Sequence, residues 1–407
     1  MPPMPRLILY LAFACFPVAP AAGAPPGDVT AKLQNLGIAN NARYASRTYA
    51  RNPWDMKAFR GRIYIGSGNS NNDGPDSNAG PVDVTYVDAA TGKLGSEWQV
   101  NDEQIDVFRT LGGTLVIPGH DPRESWMKGN FYRRAGDNTW QQVRTVELAI
   151  HMYDIVERAD SRGGFGAVDS QAFASSYLYA AIATPTGAEV AVSPNGGKSW
   201  TSFEVIKYPG ARARTFLATP TALCLSAHML QSMPVVSLGN SVPFTKSTWL
   251  VTSKGLSPTR VDLFPGLDER YMFAAKPVSF NGEVYYLGAV APIDHNWKGL
   301  GLFATRDCSS ARRVNLPGRW FHHAVDYGGR LHVATSSEEA NGRRNRIFAS
   351  ADGANFREVF NFFNNGFARS FAIVDGDFYI GIGSEAEAPR AETGTILRLK
   401  AADVPAI

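Results

Sequence analysis

A short phrase recurs along this chain at a nearly constant interval, and that interval limits the folds open to it. A turn containing glycine is followed by alternating apolar residues. It reads Arg60-Gly61-Arg62-Ile63-Tyr64-Ile65, and later Gly112-Gly113-Thr114-Leu115-Val116-Ile117. It returns as Asn281-Gly282-Glu283-Val284-Tyr285-Tyr286, as Gly328-Gly329-Arg330-Leu331-His332-Val333, and as Asp375-Gly376-Asp377-Phe378-Tyr379-Ile380. Asn-Gly, Gly-Gly and Asp-Gly between apolar runs signal tight hairpins, because both central residues must take positive φ. Gly282, Gly329 and Gly376 stand 47 residues apart at each step, and Gly61 and Gly113 stand 52 apart. A period of about 40–50 residues is that of one four-stranded antiparallel unit.

Two further units fit between Gly113 and Gly282. One starts at His151-Met152-Tyr153-Asp154-Ile155-Val156 and resumes at Tyr177-Leu178-Tyr179, with residues 159–176 as an inserted loop. The other runs from Arg214-Thr215-Phe216-Leu217-Ala218 to Ala222-Leu223-Cys224-Leu225 and has lost its glycine. The expected fold is therefore all-β, a seven-bladed β-propeller of four-stranded antiparallel blades. It forms a single domain over residues 51–407, after an N-terminal extension over residues 25–50. Stacked β-sandwiches would share the hairpin chemistry but not a period held over most of the chain. Residues 29–41 are one of few stretches with helical periodicity, and Thr395-Ile396-Leu397-Arg398-Leu399 reads as the last strand.

The first 24 residues have the layout of a secretory signal: a short start with Arg6, an apolar run over residues 7–18, and Ala-x-Ala ending at Ala24. The run is too short to span a bilayer, so the expected product is secreted or periplasmic, free of the membrane and monomeric. The net charge of +3 among 407 residues, with no lysine-rich block, excludes a nucleic-acid partner as the expectation. Cleavage would leave Cys224 and Cys308. An oxidising compartment permits a bridge between them, but Cys224 lies in an apolar run and reads more readily as a small buried thiol. No metal-ligand spacing, phosphate-binding glycine loop or Gly-x-Ser-x-Gly elbow occurs, so no cofactor is expected beyond a structural divalent cation such as calcium.

Ser193-Pro194-Asn195-Gly196-Gly197-Lys198-Ser199-Trp200 resembles the Asp-box, Ser-x-Asp-x-Gly-x-x-Trp, with Asn in the Asp place. Ser350-Ala351-Asp352-Gly353-Ala354-Asn355-Phe356 looks like a shortened copy. The likeness is to the sialidase-like and kelch-like propellers with BNR-type turns, in which such boxes join outer strands and are structural. It matches no enzyme family: the Arg-Ile-Pro segment of a sialidase site is absent, and sialidases have six blades.

In such an array the innermost strand of each unit starts at the rim of a central funnel. Aligning the units on their turns places there Asn52, Trp54 and Asp55; Gln104, Asp106 and Arg109; His151, Tyr153 and Asp154; Arg212 and Arg214; Lys276; Trp320, His322 and His323; and Arg369. Asp55 and Asp154 stand at equivalent positions and read equally as carboxylates bonding backbone amides or as site residues. Trp54, Tyr153 and Trp320 read as inter-blade packing or as platforms for a sugar ring. His332 reads as a packed core histidine. At most one of His322 and His323 can face the funnel if the strand alternates.

Converging arginines need acids or an anionic ligand between them, which points to an acidic extracellular glycan. Two reactions fit. In β-elimination, cations neutralise a uronate carboxylate while a His or Tyr takes the adjacent carbon-bound proton; His151, Tyr153, His322 and the arginines suit those roles. Glycoside hydrolysis needs two carboxylates, which Asp55, Asp106 and Asp154 could supply. Elimination is slightly favoured, with His151, Tyr153, His322 and Asp106 as catalytic candidates. Trp54, Asp55, Asp154, Arg212, Arg214, Lys276, His323 and Arg369 are the binding candidates. A propeller that binds a glycan or a protein without cleaving it remains the third reading.

Overall fold

The paired glycine turns set the architecture. At Asn281-Gly282 φ is 48° and 76°, and at Asp375-Gly376 it is 50° and 83°, so each closes a two-residue hairpin whose twist matches its strands. In the computed structural model, residues 27–72, 74–124, 128–159, 176–229, 248–252, 255–259, 261–267, 272–290 and 298–405 are described. The leader expected over residues 1–24 and most of the inserted loop after Ala159 lie outside them.

The fold is all-β. Strands Asp55–Phe59, Arg62–Gly66, Val82–Asp88 and Leu94–Val100 pair in chain order as one antiparallel meander. Arg109–Leu111, Thr114–Pro118, Lys128–Gly136 and Thr139–Glu147 form the next. The sheet of His151–Ala159, Ser176–Thr184, Gly187–Ser193 and Thr201–Ile206 also carries two short strands, His120–Pro122 and Asp102–Gln104, on its inner edge. Ala211–Ala218, Leu223–Met229, Thr248–Thr252 and Gly255–Thr259 follow. An eight-stranded sheet comes next. Its halves start at Met272–Phe280 and Trp320–Tyr327 and are joined by one bridge, Gly299 to Phe321. The last sheet is Phe367–Val374, Asp377–Gly383, Thr395–Leu399 and, outermost, Gln34–Ile38. The unit that had lost its glycine is thus a sheet like the others.

The apolar clusters lie between consecutive sheets rather than within one. Tyr64 and Val84 pack with Leu115 and Trp140. Val190 packs with Leu225 and Trp249. The final sheet's Tyr379 and Ile396 return to Met56 and Ile63 of the first. The leading strand Phe367–Val374 is consequently buried on both faces, while outer strands such as Gly255–Thr259 stay partly exposed.

Two expectations are corrected. Residues 29–41 are not helical: beyond one 3-10 turn at Thr30–Lys32, the strand Gln34–Ile38 pairs antiparallel with Thr395–Leu399. The free edge of that last strand offers backbone partners that a short isolated helix lacks. Cys224 is not a thiol but is bonded to Cys308, with Cα atoms 6.3 Å apart, inside the cluster between two sheets. Among the described residues no helix is long and apolar enough to cross a membrane.

Candidate functional site

Five of the ring residues stand at breaks in strand register. The pairing of five leading strands with their neighbours skips, at Tyr153, Arg214, Lys276 with Pro277, His322 and Arg369. A bulge inserts one extra residue and re-aims its side chain, so the funnel residues are presented by a repeated backbone device. Both rings of the histidine doublet are buried against the leading strand of the last sheet. His322 stacks on Phe367 at 4.5 Å and meets Ser336 Oγ at 2.8 Å. His323 lies edge-on to Phe371 and meets Asp55 Oδ1 at 2.9 Å.

The acids of the ring are already engaged. Asp154 takes Arg109 in two bonds of 2.7 Å and also accepts the Ile155 and Phe216 amides. Asp55 accepts the Phe108 amide at 2.8 Å, and Lys276 Nζ stands 3.9 Å from its other oxygen. Asp106 pairs with Arg214 at 3.3 Å, and its backbone carbonyl takes Lys276 Nζ at 2.6 Å. Burial pushes the Asp55 and Asp106 carboxyls up, but the facing cations outweigh it and hold both below the usual carboxylate range. Asp106, Arg109, Asp154, Arg214 and Lys276 line a cavity of about 30 Å³. Tyr153 lines it as well, and its enclosed part has room for roughly two waters.

A second group lies beside this network. The strand His120–Pro122 joins His151–Ala159 through one bridge, His120 to His151. Tyr153 is the hub: His151 stacks on it at 5.1 Å, His120 meets it edge-on at 4.9 Å, and the Arg214 guanidinium sits over its ring at 4.4 Å. Arg212, paired in register with His228, lies near the Tyr153 hydroxyl. The Arg212 guanidinium makes one bond to a backbone carbonyl, and its Nε has no partner among the described residues. Nδ1 of His120, of His151 and of His228 is likewise unpartnered. Burial, with Arg212 and Arg214 nearby, pushes the His120 imidazole down to about 3 and takes His151 and His228 well below the usual value. All three rings are neutral at physiological pH. Burial raises the Tyr153 phenol, so it keeps its proton.

The remaining candidates are structural in their contacts. Arg369 is stacked between Trp54 at 4.3 Å and Phe367 at 4.7 Å, and it bonds Asn52 Oδ1 and the Ser384 carbonyl. Trp54 donates to the Gly68 carbonyl. Trp320 packs with Lys298 and Arg319. His332 is buried against Phe378. The structure therefore brings His151, Tyr153, Arg212 and Arg214 together, with Asp106 tied in through Arg214. It seats His322, Trp54 and Arg369 in a separate stack, and Asp55, Asp154, Lys276 and His323 in the axial network.

Aligning the units on their turns does not place His120, Asp121 or His228 in the ring. The signal for His228 was available, because the second strand of each unit ends where its leading strand begins. At the Ser193 turn, Ser193 Oγ accepts the Gly197 amide, Asn195 Oδ1 accepts the Ser199 amide, and Trp200 donates to the Gly197 carbonyl.

No protein-family model matches the chain, and no characterised protein matches it in sequence. Solved structures do. A catalytically inactive virginiamycin B lyase from Staphylococcus aureus, solved with quinupristin, superposes with a TM-score of 0.52 at 10% identity, covering 90% of this chain and 98% of that one. Hydrazine synthase of Kuenenia stuttgartiensis gives 0.45 at 12% identity over 81% and 92% of the two chains. An α-L-arabinofuranosidase of Clostridium thermocellum gives 0.32 at 11% identity over 85% of each. The first likeness places the chain among all-β folds of the propeller type; at such identity it speaks for fold alone.

Proposed function

We propose that this protein is an exported, seven-bladed propeller that binds an acidic extracellular glycan and cleaves it by β-elimination at the side-chain cluster around Tyr153. The fold part is supported by four-stranded meanders whose apolar clusters link each sheet to the next and the last to the first. The Asp-box reading of the Ser193 and Ser350 turns is supported by their side-chain bonds to backbone amides. The Cys224–Cys308 bond accords with export, since such bridges persist in oxidising compartments.

One observation carries the chemistry: neutral histidines and a protonated tyrosine stand together beneath an arginine whose Nε is free of partners among the described residues. Groups whose surroundings push their protonation in opposite directions suit base and acid roles. The Arg212 guanidinium pairs with the substrate carboxylate, which acidifies the neighbouring C–H. His151 takes that proton, the C–O bond on the next carbon breaks, a carbon–carbon double bond forms, and Tyr153 gives its proton to the departing oxygen. Burial holds His151 down most, and His120, Arg212 and Arg214 add to it; a carboxylate between Arg212 and Arg214 offsets the arginines' share, so the base gains strength when substrate binds. Hydrolysis by an aspartate pair is disfavoured because Asp55, Asp106 and Asp154 each already hold a cation.

The test is to incubate the mature chain with uronate polysaccharides and follow absorbance near about 235 nm, where the new double bond of the proton-abstraction product absorbs. A rise supports elimination. New reducing ends without absorbance mean hydrolysis, and binding with neither means a glycan-binding module. His151→Ala is expected to lower kcat by about a hundredfold or more. N-terminal sequencing of the exported product should begin at Pro25.

A further inference from the structure

We propose that Asp121 is the positioning residue of this site, holding His151 with its proton on Nδ1 so that Nε2 is free to take a proton from substrate. The inference rests on the reading of His151 as the base. Asp121 Oδ2 stands 3.9 Å from His151 Nδ1, a nitrogen without any hydrogen-bond partner among the described residues. The bridge between His120 and His151 sets the two strands at this spacing. Asp121 is buried, and its φ of 67° is a left-handed conformation that few residues other than glycine, Asn and Asp adopt readily. Such a backbone, held at a cluster of unpartnered histidines, marks a constrained position.

The groups around it explain what its charge does. Arg212 acts on it from the leading strand of the next sheet, and its own charge raises Asp102 and Glu103 on the short strand paired with its own. His120 precedes it in sequence, and Tyr153 also feels its charge. His151 is otherwise faced by His120, Arg212 and Arg214, all of which oppose a positive imidazole. A neutral imidazole carries one N–H, and a carboxylate beside Nδ1 selects the tautomer that leaves the Nε2 lone pair for the substrate. When Nε2 gains its proton, the 3.9 Å gap closes to a charge-assisted bond, as catalytic hydrogen bonds commonly do on binding.

The test uses D121N and D121G in the full chain. Both tolerate the left-handed backbone, so a purely structural role predicts two silent variants. The proposal predicts instead that imidazole ¹⁵N shifts, assigned with H151A, move His151 from the Nδ1–H tautomer toward Nε2–H in both. On any uronate polysaccharide that is turned over, kcat should fall about a hundredfold with KM within about twofold, and D121E should restore part of it. Unchanged His151 shifts in both variants overturn the proposal, as does a raised KM with kcat retained. Absence of turnover by the wild-type chain sinks the elimination reading, while the tautomer measurement still decides the role of Asp121.

Discussion

Asp154 shows how one side chain can be read two ways and settled by its contacts. Its two oxygens receive Arg109 twice and two backbone amides, one from its own strand and one from the next sheet. Removing it would leave a largely buried guanidinium and two amides unpaired, so Asp154→Ala is expected to lower unfolding free energy by about 3 kcal/mol or more, measured by urea denaturation. A glycosidase carboxylate would instead cost activity with little stability. Asp121 makes the complementary prediction. Burial pushes its carboxyl up to about 6. The ionised form is the working one, so kcat/KM should rise with pH through about 6, and D121N should remove that limb. His151 contributes no limb near neutrality, because it stays uncharged throughout.

Among elements, the pair of short strands Asp102–Gln104 and His120–Pro122 matters most. Without them the His151 strand would be an ordinary innermost strand; with them His120 and Asp121 are brought against it. Asp102, on the same pair, has a buried carboxyl without a well-formed hydrogen bond, and burial raises it to about 7. Folded protein therefore keeps this proton up to pH about 7, whereas the unfolded chain loses it near about 4. Stability is lost as pH rises through that window. Asp102→Asn should melt higher than wild type at pH 8, with the difference vanishing toward pH 4; calorimetry at both values checks it. The bulges belong to this scale too. The alternation rule could place Arg214 or Arg369 near the funnel, but not predict that each sits at a register skip, since a bulge has no residue signature apart from occasional glycine.

At the scale of the molecule, the first and last described strands pair in one sheet. Residues 27–30 lie along the outer strand of the preceding unit: Asp28 pairs with Arg344 at 2.6 Å, and the Val29 amide reaches the Asn361 carbonyl at 2.9 Å. The strand Gln34–Ile38 then covers Thr395–Leu399. Deleting residues 27–38 should lower Tm and promote association through the bared edge, visible in light scattering. The Cys224–Cys308 bridge closes a loop of 84 residues across two sheets. Replacing both cysteines with serine is expected to cost about 2–4 kcal/mol in unfolding free energy.

The amino-acid sequence by itself determined the repeat. Asn281-Gly282 and Asp375-Gly376 can adopt little but a tight hairpin, and alternating apolar residues after each turn must bury a face, so strands and their period follow from local chemistry. It also supplied the residue types of the ring. What only the tertiary structure decided is which of them meet. Asp55 and Asp154 look alike along the chain, and so do Arg212 and Arg369. Their surroundings diverge because partners such as Lys276 and His323 for Asp55, Arg109 for Asp154 and Trp54 for Arg369 arrive from other units, and those approaches depend on how the sheets pack together. The same holds for Cys224 and Cys308, and for Asp121 beside His151, whose 3.9 Å approach is set by a bridge between strands that no local pattern announces.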